Sequence, residues 1–190
     1  MEEILKEIRT CNEVLQKGGL ILYPTDTIWG IGCDATNGEA VSKIFKLKKR
    51  EEAKSMIVLL DNEAKLQSYV REVPDAAWDL IEFSEKPLTI IYDHAKNLAP
   101  GIIANDGSIA IRITKDEFCR LLIGKFRKPI VSTSANISGN DPPAGFSDID
   151  ETIINGVDYV VNLRKDERSK SAASTIIKLG TGGLYKVIRK

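Results

Sequence analysis

The chain has 190 residues, 43% of them hydrophobic, and its 27 basic side chains balance 27 acidic ones. That length suffices for one substantial core, and the absence of net charge excludes a global field drawing the protein to nucleic acid or membrane. Three widely spaced cysteines (Cys11, Cys33, Cys119) and a single histidine, His94, argue against a disulfide framework, a zinc site or a Ser-His-Asp centre.

The N-terminus "MEEILKEIRT" is acidic and amphipathic, unlike a signal peptide. Ile4, Ile8, Cys11 and Leu15 share one helical face, and Gly18-Gly19 stops that helix. "LILY" is a short buried strand running into "PTDTIWGIGCDA". A second helix is expected from Gly38 to about Lys49, followed by the strand "SMIVLL". Asp61 is placed to cap a helix reaching about Val70, and Pro74 to open another towards Phe83. "PLTIIY" and "SIAIRI" read as strands, and Thr114 with Glu117 has the spacing of a capping box for the helix holding Phe118, Leu121 and Leu122. Strand "PIVS" leads into polar "TSANISGNDPPAG"; a helix through Ile149, Ile153 and Ile154 precedes strand "YVVNL". "STIIKL" and "LYKVIRK" flank glycines 180, 182 and 183 as a hairpin. Strands and helices intermix from end to end without strict βαβ alternation, which predicts one α/β sheet domain. No apolar run approaches the roughly 18 residues that span a bilayer, and a cytoplasmic protein is expected.

Within the second helix, Ala40, Val41, Ile44 and Leu47 form the apolar stripe, and Lys43, Lys46 and Lys49 fall away from it as solvated lysines. Lys48 does not: it lies four residues after Ile44 and seven after Val41, on their face. A lysine there is costly unless something negative meets it. Either the helix frays at Leu47 and the ammonium reaches water, or it serves a cavity together with Arg50, a pair suited to phosphate or carboxylate.

Two further stretches carry polar groups directly after buried strands. In "YPTDTIWGIGCDA", Gly30 and Gly32 either admit a ligand close to the backbone or bend the strand, with Trp29 packed in the core. In "VSTSANISG", Ser132, Thr133, Ser134 and Asn136 suit phosphate or ribose at a strand end, or form a chain of Asx and ST turns leading to Gly139. Neither a Walker A sequence nor a strand-linked G-x-G-x-x-G is present. The local cations and Trp29 are too few for an RNA-stacking platform.

Taken together, "YPTDTIWGIGCDA", "IFKLKKREEAKSMIVLL" and "PIVSTSANISG" resemble the YrdC/TsaC family in order and spacing, as do "SIAIRIT" and the late "SAASTIIKL" and "YKVIR". The likeness runs from Gly19 to Arg189, with Lys48 and Arg50 on the family's K-x-R element and Ser134 and Asn136 on its S-x-N element. It implies a single YrdC-like domain over residues 1–190 without a C-terminal extension. The implied fold is a twisted mixed sheet of about seven strands, flanked by helices, with a concave basic cavity. The implied activity is a nucleotidyl transfer in which L-threonine, bicarbonate and ATP give L-threonylcarbamoyl-AMP and pyrophosphate. Mg²⁺ would come with the ATP, with no protein side chains as its ligands. A tRNA-modifying partner transferase would then carry the threonylcarbamoyl group to adenosine 37 of tRNA, and contact with tRNA or double-stranded RNA would fit that role.

Carried over residue by residue, Thr25, Arg112, Ser134 and Ser174 would hold threonine. Lys48, Arg50, Lys54, Ser108, Asn136, Ala144 and Arg189 would follow the ATP, and Lys48, Arg50, Ser134 and Asn136 would form the catalytic set. The sequence departs from the commoner pattern at Asp26 (Glu), Trp29 (Tyr), Glu51 (Pro), Lys54-Ser55-Met56 (Asn-Pro-Leu) and Leu59, where some members carry histidine. Catalysis is expected to rest on positioning and preorganised charge, so Lys48→Ala or Arg50→Ala should fold normally and be nearly inactive. The stretch from Arg164 to Ala173 is the expected lid. The competing readings are a carbamoyl-handling YrdC-type domain, a non-catalytic RNA-binding module, and another enzyme of the same topology.

Overall fold

The computed structural model describes residues 1–49, 56–167, 173–180 and 185–190. Its described strands are β1 (Ile21–Tyr23), β2 (Gly30–Gly32), β3 (Ile57–Leu60), β4 (Leu88–Tyr92), β5 (Ile109–Ile113), β6 (Ile130–Ser134), β7 (Tyr159–Val160), β8 (Thr175–Leu179) and β9 (Tyr185–Arg189). They form one sheet in the order β7-β1-β2-β6-β3-β5-β4-β8-β9. The β1–β7, β3–β5 and β4–β8 pairs are parallel and the others antiparallel. The helices are α1 (Glu2–Gln16), α2 (Gly38–Lys48), α3 (Leu66–Tyr69), α4 (Asp75–Phe83), α5 (Glu117–Phe126) and α6 (Glu151–Gly156). Among the described residues, no helix is long and apolar enough to cross a membrane.

Alternation along each strand divides the core into two layers. Leu22, Val58, Leu60, Ile90, Tyr92, Ile109, Ile111 and Val131 face the larger layer, which α2 closes with Ala40, Val41, Ile44 and Phe45. Ile21, Tyr23, Leu59 and Ile130 face the opposite way, onto Ile8, Cys11 and Leu15 of α1 and Phe118, Leu122 and Ile123 of α5. These two helices pack on each other and cover only the β1–β6–β3 side of that face. Ala110 and Arg112 of β5, Ile91 of β4 and Ile176 of β8 face the side that remains open, and they line a cleft.

Local chemistry sets the element ends. Gly18 takes φ +70° and its N–H bonds Leu15 O at 3.0 Å, which ends α1 as expected. Asn37 caps α2 by accepting from the N–H groups of Glu39 and Ala40 at 3.0 and 3.1 Å. Two expected caps are corrected. Asp116, not Thr114, caps α5, accepting from Cys119 N at 2.9 Å, and Thr114 Oγ1 instead accepts from Asp116 N at 3.3 Å. Asp61 caps no helix; it pairs with Lys65 at 2.7 Å beside a 3-10 turn over Glu63–Lys65.

The sheet has nine described strands, which corrects the expected seven or so. The strand the sequence hid is β2, because glycines at both of its ends mask the β pattern. Gly32 is glycine for packing: a Cβ there would lie 2.7 Å from Tyr23 Cε1 and 3.0 Å from Val131 O. Trp29 is 4% exposed and its ring meets Phe146 at 5.0 Å, a core contact. Cys11, Cys33 and Cys119 are free and buried; burial pushes the Cys11 thiol up to about 12, with Glu7 adding to the shift.

Gly32→Ala should lower unfolding free energy by about 1–3 kcal/mol through overpacking against backbone. Gly38→Ala, whose Cβ would meet nothing within 4 Å, should change it by less than about 0.5 kcal/mol. Urea unfolding of the two variants beside wild type checks the pair.

Candidate active site

The open face of the sheet carries a cleft of about 360 Å³. Its floor is apolar (Ile57, Ala110, Ile91, Ile176), and its polar residues include Thr27, Arg112, Ser132, Ser134, Ser174 and Arg189. Strand register explains the convergence. Leu59, Arg112, Thr89, Ile176 and Arg189 stand opposite one another on successive strands β3, β5, β4, β8 and β9. The two arginines thus occupy one row, three strand spacings or about 14 Å apart at the backbone. A register shift between Ile176 and Ile177 leaves Ile188 of β9 unmatched, and this irregularity lets Ile188 and Arg189 both reach the cleft.

Arg112 is 3% exposed. Its Nη2 pairs with Asp26 Oδ1 at 3.0 Å and its Nη1 donates to Thr27 Oγ1 at 3.3 Å. Its Nε is buried and has no hydrogen-bond partner among the described residues, an unspent donor on a residue that lines the cleft. Arg189 donates through Nε and Nη2 to the carbonyl of Ser174 at 3.0 and 2.8 Å. Burial, and after it the charge of Arg112, lowers the Arg189 guanidinium from its usual range. Two cations that oppose each other across a cleft favour an anion between them.

The S-x-N turn is built from below. Lys48 is the last residue of α2, 1% exposed, and its Nζ donates to the carbonyl oxygens of Ser134 and, at 2.7 Å, Asn136. Ser138 N returns a bond to Lys48 O at 2.9 Å. The helix therefore does not fray at Leu47, and carbonyl dipoles meet the buried ammonium. Asn136 Nδ2 donates to Ile137 O at 3.0 Å and Asn140 O at 2.6 Å, which closes the turn.

Of the expected site residues, Arg112, Ser134, Ser174 and Arg189 come together at the cleft. Thr25 lies behind Thr27, with hydroxyl oxygens 3.0 Å apart, and donates to Ile28 O at 2.8 Å. Ser108 is buried on Asp106 Oδ1 at 2.6 Å, a contact that, with Lys178 next, holds the Asp106 carboxyl well below its usual range. Ala144 is exposed and, like Ser108, is not part of the cleft lining. Arg50 and Lys54 lie outside the described residues, as does the centre of the expected lid; of its ends, Arg164 pairs with Asp116 at 2.8 Å and Ala173 lines the cleft. Ser132, read with Ser134 as suited to phosphate or ribose, lines the cleft, whereas Thr27 and Ala110 were missed, although Ala110 sits two residues from Arg112, the same-face spacing of a strand. Among the described residues, no group of three or more His, Cys, Asp or Glu side chains is placed to hold a metal ion.

Comparison with known proteins places this geometry. The chain belongs to the Sua5/YciO/YrdC family, whose model, described as telomere recombination, matches residues 13–190. A protein of Pseudoalteromonas translucida named threonylcarbamoyl-AMP synthase is 32% identical over 151 residues, 78% of this chain and 81% of its own. A Methanocaldococcus jannaschii protein given the same name provisionally is 35% identical over 179 residues, 94% of this chain and 83% of its own. Among solved structures, P. abyssi Sua5 complexed with L-threonine superposes with a TM-score of 0.82 at 26% identity, covering 90% of this chain. This chain spans about half of that one (50%).

The expectation that Lys48→Ala folds normally is corrected by the burial of Lys48 and its two carbonyl acceptors. Lys48→Met, which keeps much of the volume, should cost about 1–3 kcal/mol by leaving buried carbonyls unmet. Chemical denaturation against wild type measures the loss.

Proposed function

We propose that the cleft binds L-threonine, bicarbonate and ATP and joins them into L-threonylcarbamoyl-AMP with release of pyrophosphate, a nucleotidyl transfer. The observation that carries this reading is the pair Arg112 and Arg189 in one row of an open sheet face, with Arg112 Nε unpartnered among the described residues. The family, the names of its members and the threonine complex of P. abyssi Sua5 support it.

On this reading the threonine carboxylate pairs with Arg112, and the apolar floor of Ile57, Ala110 and Ile91 takes the methyl group. Thr25, through Thr27, and Ser174, through its 2.7 Å contact with Thr89, shape that pocket. The amine and bicarbonate lose water to form a carbamate. A carbamate oxygen then attacks the α-phosphorus, the α–β bridging P–O bond breaks, and its electron pair leaves on pyrophosphate. Ser134 offers its hydroxyl at the cleft wall. Arg189, Arg50 and Lys54 offset phosphate charge, and Ser108 and Ala144 lie along the nucleotide. Lys48 and Asn136 serve by holding the S-x-N turn to which Ser134 belongs. Mg²⁺ accompanying the ATP would supply charge neutralisation on the triphosphate, with no protein side chain assigned to hold it. The work is positioning and fixed charge, with no side-chain base required.

The product is consumed by a transferase that modifies adenosine in tRNA, and a cytoplasmic setting with tRNA nearby fits this step. The direct test follows pyrophosphate with ATP, L-threonine and bicarbonate together and with each omitted. Release should need all three and fall about 10²–10³-fold in Arg112→Ala and in Arg189→Ala. No release, beside tight and salt-sensitive RNA binding, would favour a binding module instead.

A further inference from the structure

We infer that Asp26 is a positioning residue that fixes the orientation of the Arg112 guanidinium and so sets recognition of the substrate carboxylate; this rests on the threonine-site reading above. Asp26 follows Thr25 in the segment between β1 and β2, and it is absent from the cleft lining. It lines a separate cavity of about 270 Å³, whose apolar wall includes Ile81, Leu88 and Ile113. Its contact with a cleft side chain is the ion pair with Arg112.

The geometry points one way. Asp26 Oδ1 forms an ion pair with Arg112 Nη2 at 3.0 Å, Arg112 Nη1 donates to Thr27 Oγ1 at 3.3 Å, and Nε is left without a described partner. An ion pair at one terminal nitrogen and a hydrogen bond at the other favour one orientation of the planar guanidinium. Asp26 is itself held, because Thr114 Oγ1 donates to its Oδ2 at 3.3 Å. Thr114 thus helps to hold the carboxylate that faces Arg112.

Two physical effects of removing the Asp26 charge oppose each other. Loss of orientation weakens carboxylate binding, because the donor no longer points at the ligand. Loss of a negative charge beside Arg112 makes the cleft more positive and strengthens it. The inference requires the first to win. For a charge-assisted contact the expected net change is about tenfold to hundredfold weaker binding.

The experiment uses the full chain with Asp26→Asn, Asp26→Glu and Thr114→Val. Each variant is read for KM of L-threonine and of ATP, kcat, thermal midpoint, and inhibition by L-threoninol, which lacks the carboxylate. Asp26→Asn should raise the KM for L-threonine about tenfold to hundredfold, leave the KM for ATP within about twofold, and erase discrimination between threonine and threoninol. Asp26→Glu should restore most of that discrimination. Thr114→Val, which keeps both charges, should shift the threonine KM several-fold the same way, and it decides the matter if Asp26→Asn does not fold. Unchanged or tighter threonine binding would overturn the inference, as would KM values for threonine and ATP that rise together. A wild-type protein without threonine-dependent turnover would instead overturn the parent reading. Threonine binding measured by calorimetry on the same variants then stands as the separate readout for Asp26.

Discussion

A buried ammonium met by two carbonyl groups organises the centre of this molecule. Lys48 ends α2 inside the protein, and its Nζ binds the carbonyls of Ser134 and Asn136 while its own carbonyl accepts from Ser138 N. Burying a charge costs several kcal/mol unless polar groups meet it. The compact ammonium, with three donors, suits two converging carbonyls in a way that a planar guanidinium does not. The contact ties the end of a helix to the end of β6, and so fixes the turn to which Ser134 belongs.

The second constraint is uneven coverage of the sheet. The described helices protect one face and part of the other, while Ala110, Arg112, Ile91 and Ile176 stay on the open remainder. Antiparallel pairing of β5 with β4, parallel pairing of β4 with β8 and antiparallel pairing of β8 with β9 line up Arg112 with Arg189. Cleft side chains more than seventy residues apart in sequence share one row because strand register brings them there. A shallow apolar floor flanked by two cations suits a small amino acid joined to a phosphate, and such a site asks for positioning more than for proton transfer.

Much of this was legible in the sequence. The spacing of Lys48 from Ile44 and Val41 marked it as misplaced on an apolar face, and the structure buries it there. Gly18-Gly19 and the alternating strands are local signals, which is why eight of the nine described strands could be read. What the sequence could not give was long-range. Nothing local says that Nζ of Lys48 would meet carbonyls 86 and 88 residues away. Nor does it say that Asp26 would pair with Arg112, or that a bulge would turn Ile188 and Arg189 together. The β2 strand was hidden because Gly32 answers to Tyr23 and Val131, contacts made only in the folded sheet.

The most direct measurement of the central claim is mass spectrometry of the product formed from ATP, L-threonine and isotopically labelled bicarbonate. A threonylcarbamoyl-AMP species carrying the label, formed only when all three are present, is the predicted result. AMP or ADP alone, or a product without the label, would contradict the account.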